Sequence, residues 1–428
     1  MDRLISDVIG ALAVILAVSA LFAAVARRCG QPVVIGQILA GLVLGPSVLG
    51  RLPGHLVGRL FPTASVPALD VLAQIAVALF MFVIGYELDL RALRGHRRVP
   101  VYVACGALLV PMTLGCAATI AFRSSFTAVG LSRFDVETVL YMGIALSVTA
   151  LPVLAAIVRE RGIAGTLAGV TATSAAGLMD VVSWLVLAGV IASAVHGTGR
   201  PWTATLGLLV AFVAGMRFLI RPLLGRWMTR RQATLANKLP TAAVLCLGGA
   251  WFTASIGLHP VFGALVAGLT MPKQDGTPDP DVLRPLEQVG GLLLPLFFVV
   301  TGLSLNVGAM NATAFLLLAL VCVIAVGGKI GPAYAASRAG GLRREDAATV
   351  AALVNTRGLT ELIALNLGLS SGLIGPRLFA VLVLMALITT MMTAPLLTLI
   401  GRHRFRAAEG IELPRRQRLQ APSAELRP

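Results

Sequence analysis

The chain has 428 residues, of which 57% are hydrophobic and 13% charged, and its mean hydropathy is +0.88. A soluble fold of this size cannot hide so much apolar surface, so the composition excludes a soluble enzyme, a disordered chain and a small secreted module, and implies many membrane crossings. The formal charge of +16 would mark a nucleic-acid binder in a soluble protein; here the basic residues follow the loops, and no nucleic-acid partner is expected.

A helix needs about 20 apolar residues to cross the hydrocarbon core. Thirteen stretches qualify, at roughly 5–26, 32–49, 68–88, 99–122, 136–158, 165–192, 203–222, 237–257, 259–272, 286–303, 312–337, 346–369 and 376–400. The first has no small-residue cleavage site after a basic start, so it is expected to be a retained helix. The third ends on Glu87 and Asp89, ahead of a basic loop. The fifth contains Thr149-Ala-Leu-Pro152; Pro152 lacks a backbone donor and turns Leu151 away from helix. The sixth carries Asp180 near its middle. The seventh is a linker, and the ninth is short. The eleventh holds Lys329 between glycines, and the twelfth holds Asn355-Thr-Arg-Gly358 followed by Glu361. Residues 401–428 form a short basic tail, too small for a further domain. Five scattered cysteines and five scattered histidines show no metal-ligand spacing. No cofactor is expected, and no nucleophile pair or Asp-rich metal motif points to an enzyme.

Placed on alternate sides of these spans, 26 basic residues fall on one side and seven on the other, with Lys329 and Arg357 left inside the membrane. The positive-inside rule then sets the N-terminus outside and the C-terminus in the cytoplasm.

The chain also resembles itself. Gly36-Gln-Ile-Leu-Ala-Gly-Leu42 matches Gly263-Ala-Leu-Val-Ala-Gly-Leu269, and Leu79 to Asp89 matches Leu296 to Asn306. Ala145-Leu-Ser-Val-Thr149 matches Ala352-Leu-Val-Asn-Thr356 more weakly. Spans two, three and five therefore pair with nine, ten and twelve. Each pair lies seven spans apart, an odd number, so the partners cross in opposite directions. The domain reading is repeat one at 1–192, a linker helix at 203–222, repeat two at 237–400, and the tail. Inverted repeats mark secondary transporters, whose ion sites lie at paired, interrupted helices. Pro152 and Gly358 mark those interruptions, at equivalent places in the two halves.

Ionisable groups at membrane depth are functional candidates. A buried Asp180 can hold a proton or, once ionised, a cation, but not easily both. That exclusion is the minimum chemistry of antiport. Lys329 either pairs with Asp180 or extends toward the membrane surface. Arg357 and Glu361 stand at i and i+4, so they face one way and form an ion pair or reach charges on other helices. Glu87 either neutralises nearby arginines or lines an inner funnel.

Leu79 to Asp89, Ala145 to Leu154, Pro295 to Leu303 and Asn355-Thr-Arg-Gly-Leu-Thr-Glu-Leu362 resemble the second monovalent cation:proton antiporter family, which includes Kef-type and plant cation/proton exchangers. The resemblance spans about 1–400. It implies an all-α fold of thirteen helices with crossed, broken helices five and twelve, a dimerisation domain, a mobile core and a homodimer. Asp180 matches the family's essential aspartate and Lys329 its basic residue on helix eleven. Thr149, Asn355, Arg357 and Glu361 match the polar positions of the broken helices. Met179 departs from the pattern, since many relatives carry Asp, Asn or Gln there. A thioether is a poor ligand for a hard alkali cation, so one oxygen donor is lost and a two-proton scheme is weakened. A soluble nucleotide-binding domain of the Kef type is not expected after so short a tail.

The function expected is exchange of Na+ or K+ for protons, with Asp180 the site of the transported ion. The alternative is an organic-ion transporter on the same scaffold, with Met179 lining a more apolar pocket.

Overall fold

The computed structural model describes residues 2–53, 55–87, 98–194, 202–228, 235–273 and 277–409. Asp89, the basic loop residues before Arg98 and tail residues 410–428 lie outside the described residues. In chain order the helices are α1 (Asp2–Arg28), α2 (Val33–Leu44), α3 (Leu56–Leu60), α4 (Val66–Glu87), α5 (Arg98–Ala121), α6 (Arg123–Val129), α7 (Val136–Ser147), α8 (Leu151–Glu160) and α9 (Leu167–Ala194). They continue with α10 (Trp202–Gly215), α11 (Arg221–Met228), α12 (Leu235–Ser255), α13 (Pro260–Thr270), α14 (Pro280–Leu303), α15 (Ala312–Ala339), α16 (Arg344–Val354), α17 (Leu359–Ser370) and α18 (Pro376–Glu409). A π-turn at Met216–Ile220 joins α10 to α11. Among the described residues the only β-type pairing is a bridge between Leu131 and Ile374.

Ten described segments are long and apolar enough to cross a membrane. The other three expected crossings differ for local reasons. The span at 237–257 is α12, diluted by Lys238, Pro240 and two glycines. The ninth is the 11-residue α13, short as its sequence implied. The twelfth is split into α16 and α17, and the fifth is likewise split, into α7 and α8. Two boundaries move. The linker runs past 222 to Met228, and α18 runs past 400 to Glu409, taking up the start of the expected tail.

The helices form two sets. One comprises α1, α2, α4, α12, α13 and α14; the other comprises α5, α7, α8, α9 and α15 to α18. Each packs mainly within itself. The first set displays the inverted repeat. Gly41 of α2 lies against Gly302 of α14, so closely that a Cβ on Gly302 would overlap the Gly41 backbone. Their repeat equivalents, Gly268 of α13 and Gly85 of α4, make the matching approach; a Cβ on Gly268 would overlap the Phe82 and Tyr86 backbone. Each repeat thus lends its short glycine helix to the long helix of the other. The end of α4 also meets the start of α14, where the Asp279 amide donates to Tyr86 Oη at 2.8 Å. These two equivalent helices therefore run antiparallel.

The second set begins its broken helix with a cap. The Asp135 carboxylate accepts from the Thr138 amide at 2.8 Å and satisfies one of the four unpaired donors at the start of α7. Partial burial pulls the Asp135 carboxyl upward. Hydrogen bonds from Thr138 and the nearby Arg133 charge outweigh it and hold the group below the usual carboxylate range.

Candidate ion-coupling site at the crossing of two broken helices

Both interruptions follow from local sequence. Pro152 stands in the first turn of α8, where a missing N–H costs nothing, and so starts a new half-helix rather than kinking an old one. Val148, Thr149 and Ala150 bridge α7 to α8 outside helical structure, with Ala150 extended. On the other side Asn355 ends α16, and Gly358 precedes α17. Gly358 is required by proximity, because a Cβ there would sit 2.7 Å from Val153 Cγ2 of α8. The two bridges bond to one another. Thr149 Oγ1 donates to the Val354 carbonyl at 3.1 Å, and the Ala150 amide donates to the Thr356 carbonyl at 3.1 Å.

A half-helix ending inside a membrane leaves four carbonyls without helical partners. At the end of α7 two buried cations meet that demand. Lys329 Nζ donates to the Ser147 carbonyl at 2.6 Å and the Val148 carbonyl at 2.5 Å. The Arg357 guanidinium donates to the Ala145 carbonyl at 3.1 Å and also to the Leu146 carbonyl. Positive charge at a helix C-terminus is further favoured by the macrodipole. Arg357 bonds as well to Glu361 Oε1 at 2.8 Å, with both side chains fully buried. Glu361 lies in the first turn of α17, where a negative charge complements the helix N-terminus.

The expected pair of Lys329 with Asp180 is therefore not formed. The ammonium is taken by the carbonyls of Ser147 and Val148, which α7 cannot satisfy from within. Asp180, 2% exposed, has no hydrogen-bond partner for Oδ1 among the described residues. Its helix, α9, packs on α7, α8, α16 and α17, so it stands beside both interruptions. Met179 Sδ lies 3.9 Å from Thr149 Oγ1, on the wall of an apolar cluster formed with Ala150, Val153, Ala176 and Val354. Asn355 donates through Nδ2 to the Thr389 carbonyl at 3.1 Å and leaves its own Oδ1 unpartnered. Buried polar atoms are nearly always paired in folded proteins. Unfilled acceptors on Asp180 and Asn355, beside a break, are suited to a proton or a cation.

A cavity of about 500 Å³ opens between the two helix sets, lined by residues of α4, α8, α9 and α14. Its α9 wall includes Gly177 and Val181, which flank Asp180 in the helix. Its mouth carries Glu87, Arg159 and Glu287. Glu87 lies on the cavity wall together with Arg159, compatible with both of its readings, and Lys273 Nζ donates to its backbone carbonyl at 3.4 Å. Glu287 was not singled out by sequence, because it resembles any charge at the start of a span.

The sequence reading also passed over Thr389, Thr390 and Thr393 of α18. Thr390 Oγ1 accepts from the Arg357 amide at 3.1 Å, and its one proton stands between the Arg357 carbonyl at 2.9 Å and the Ala386 carbonyl of its own helix at 2.7 Å. Thr356 Oγ1 and Thr393 Oγ1 stand 3.5 Å apart. Four threonines in the span, Thr398 included, were the available signal, but such hydroxyls usually bond their own helix. Thr390→Val is expected to lower apparent stability by about 1–3 kcal/mol through the two stranded backbone groups, and Thr390→Ser to retain most of it. Thermal unfolding of the two variants in detergent measures the difference.

Two interrupted helices from antiparallel halves, crossing beside buried ionisable groups, define the sodium/proton antiporter fold. In keeping with this, the structure is similar to that of the sodium proton antiporter MjNhaP1 from Methanocaldococcus jannaschii, with a TM-score of 0.67 over 92% of this chain and 96% of that one, at 13% identity. The chain belongs to the sodium/hydrogen exchanger family, whose transmembrane profile matches residues 14–399. It is 33% identical to the Na(+)/H(+) antiporter NhaS4 of Synechocystis sp., over 90% of this chain and 95% of that protein. It is 36% identical to Cation/H(+) antiporter 20 of Arabidopsis thaliana, over 92% of this chain and 49% of that protein. The chain spans about half the length of the plant relatives it matches.

Proposed function

We propose that the chain exchanges a monovalent cation, Na+ or K+, for protons across a membrane by alternating access. The observation that carries this reading is Asp180, buried with an unfilled carboxylate oxygen beside two crossed helix breaks, in a chain of the exchanger family. Deprotonated Asp180 binds the cation, with Thr149 and Asn355 beside it, and protonation from the other side expels it. Lys329, Arg357 and Glu361 hold the half-helix ends that make the crossing rigid. Asp180 is the carboxylate assigned to coupling, and Met179 at the preceding position weakens a scheme of two protons per cation.

Several finer elements belong to the same reading. The set with the broken helices moves against the other set, with the cavity between them giving access from one side. Glu87 and Glu287 draw cations to its mouth. That mouth faces the cytoplasm, with the N-terminus outside, as the bias of basic residues supports. The working unit is a homodimer in the cytoplasmic membrane. The matched relatives bear the names of cation exchangers, which favours an alkali cation over the organic-ion alternative.

The test is cation-evoked pH change in proteoliposomes. Adding Na+ or K+ to vesicles with an imposed proton gradient is expected to dissipate the gradient with a saturable dependence on one ion or both. A chain that leaves the gradient untouched with every alkali cation is not this exchanger.

A further inference from the structure

The cavity and the inverted repeat, taken together, point to a second path. On α4 the cavity is lined by Phe80, Val83 and Ile84. The match of Leu79–Asp89 with Leu296–Asn306 makes Phe297, Val300 and Thr301 of α14 their counterparts. On α14 the cavity is lined by Leu286, Gly290 and Leu294. Their counterparts, carried back along the same match, are Leu69, Ala73 and Val77 of α4. Because α4 and α14 run antiparallel, both groups of counterparts lie toward the face away from Glu87 and Glu287 at the cavity mouth. There Leu69, Ala73, Val77 and Phe297 are packed in one buried apolar cluster that also holds Leu359, Leu362 and Ile363 of α17. The boundary between the two helix sets thus holds a cavity toward one face and packed side chains toward the other.

A polar contact crosses the packed end. Asn366 of α17 donates through Nδ2 to Thr301 Oγ1 of α14 at 2.9 Å, and to the Leu362 carbonyl of its own helix at 3.0 Å. Thr301 is the counterpart of Ile84, which lines the cavity. The bond to Thr301 joins a helix of one set to a helix of the other, so it breaks whenever the sets part at this end. α17 also begins at the interruption and packs on α9, the helix of Asp180. A gap between α14 and α17 therefore leads from the far face toward the same carboxylate.

We propose that the second access path to Asp180 runs between α14 and α17, lined by Phe297, Thr301, Leu362 and Asn366, and that the Asn366–Thr301 hydrogen bond ties it shut. Asn366 is a positioning residue: it holds the closed arrangement and does not touch the ion. A bond made in one arrangement and lost in the other shifts the balance between them by its net worth. The path rests on the reading that the two sets move against each other.

The experiment reads which face of the membrane reaches these residues. Leu362→Cys and Ile84→Cys are each placed in the full chain, in sealed vesicles of either orientation, and treated with a membrane-impermeant maleimide. The wild type supplies the background of its five cysteines. Leu362→Cys is expected to react from the face away from the cavity, faster while a cation gradient drives exchange. Ile84→Cys is expected to react from the cavity face. Val300→Cys repeats the far-face measurement from α14 if Leu362→Cys does not fold. Adding Asn366→Leu is expected to speed far-face labelling about fivefold, the net worth of one hydrogen bond, and Thr301→Val to do the same. Labelling of Ile84→Cys is expected to hold or fall in the same backgrounds. Exchange without far-face labelling of either reporter overturns the path. An equal rise at Ile84→Cys overturns the tie, because general loosening speeds both faces. A lower melting temperature in Asn366→Leu with labelling unchanged also overturns it and leaves the bond a structural contact. Exchange by the wild type is followed in the same vesicles, and its absence fails the functional reading rather than the assignment of Asn366.

Discussion

Asp180→Asn is expected to reduce cation-evoked proton movement to the level of empty vesicles while leaving the protein folded. Asparagine keeps the size and polarity of the side chain but can neither release a proton nor present a full negative charge. If one group carries proton and cation in turn, removing its titration removes both halves of the cycle. The stability half of the prediction is the more discriminating. Asp180 is buried with Oδ1 unpartnered and with Lys329 engaged elsewhere. An isolated buried carboxylate weakens a fold, so the apparent melting temperature of Asp180→Asn should match or exceed the wild type. Asp180→Glu keeps the charge and shifts it by one methylene, so it should retain exchange with altered cation affinity. Wild-type exchange by Asp180→Asn would remove the residue from the mechanism. A large loss of thermal stability would mean that Asp180 is a structural partner.

Arg357→Met is expected to behave in the opposite way, with a large loss of stability. It strands the buried Glu361 carboxylate and the Ala145 and Leu146 carbonyls together. Breaking one side of a buried ion pair costs about 3–5 kcal/mol. Two orphaned carbonyls add roughly 1–3 kcal/mol each before relaxation. Combining Arg357→Met with Glu361→Gln should recover the ion-pair share and leave the carbonyl share, because glutamine removes the stranded charge but cannot reach the end of α7. Thermal unfolding of both variants measures the two shares. If the double variant is as stable as the wild type, the carbonyl contacts contribute nothing. If the single variant is as stable as the wild type, the account of α7 as a helix capped by cations is wrong.

Much of this architecture could be read from the residues. The spans emerge because hydrocarbon demands about 20 apolar residues per crossing. The repeat emerges because close helix packing demands glycine at fixed places, and Gly41, Gly85, Gly268 and Gly302 occupy them in both halves. Pro152 and the polar run Asn355 to Gly358 marked both interruptions. Asp180 and Glu361 were visible as charges in apolar surroundings. The partners of Lys329 were not visible. A sequence shows that a buried cation needs negative partners, and a carboxylate is the obvious choice. The carbonyls at the end of a half-helix are equally negative, yet every residue has a carbonyl and nothing marks the unpaired ones. Thr390 was hidden for a related reason, because its service to Arg357 depends on α18 passing beside the interruption.

The sequence by itself determined that this chain crosses a membrane many times as two inverted halves, and which few charges lie at membrane depth. Both are consequences of transfer energies and helix periodicity, which act locally. Only the tertiary structure decided which opposite charge each of those groups meets. Lys329 and Arg357 close the end of α7, Glu361 is paired through Oε1, and Asp180 has no ion-pair partner among the described residues and keeps an unfilled oxygen. Electrostatic pairing depends on distances of a few ångströms between helices far apart in the chain, and those distances exist only once the bundle has packed.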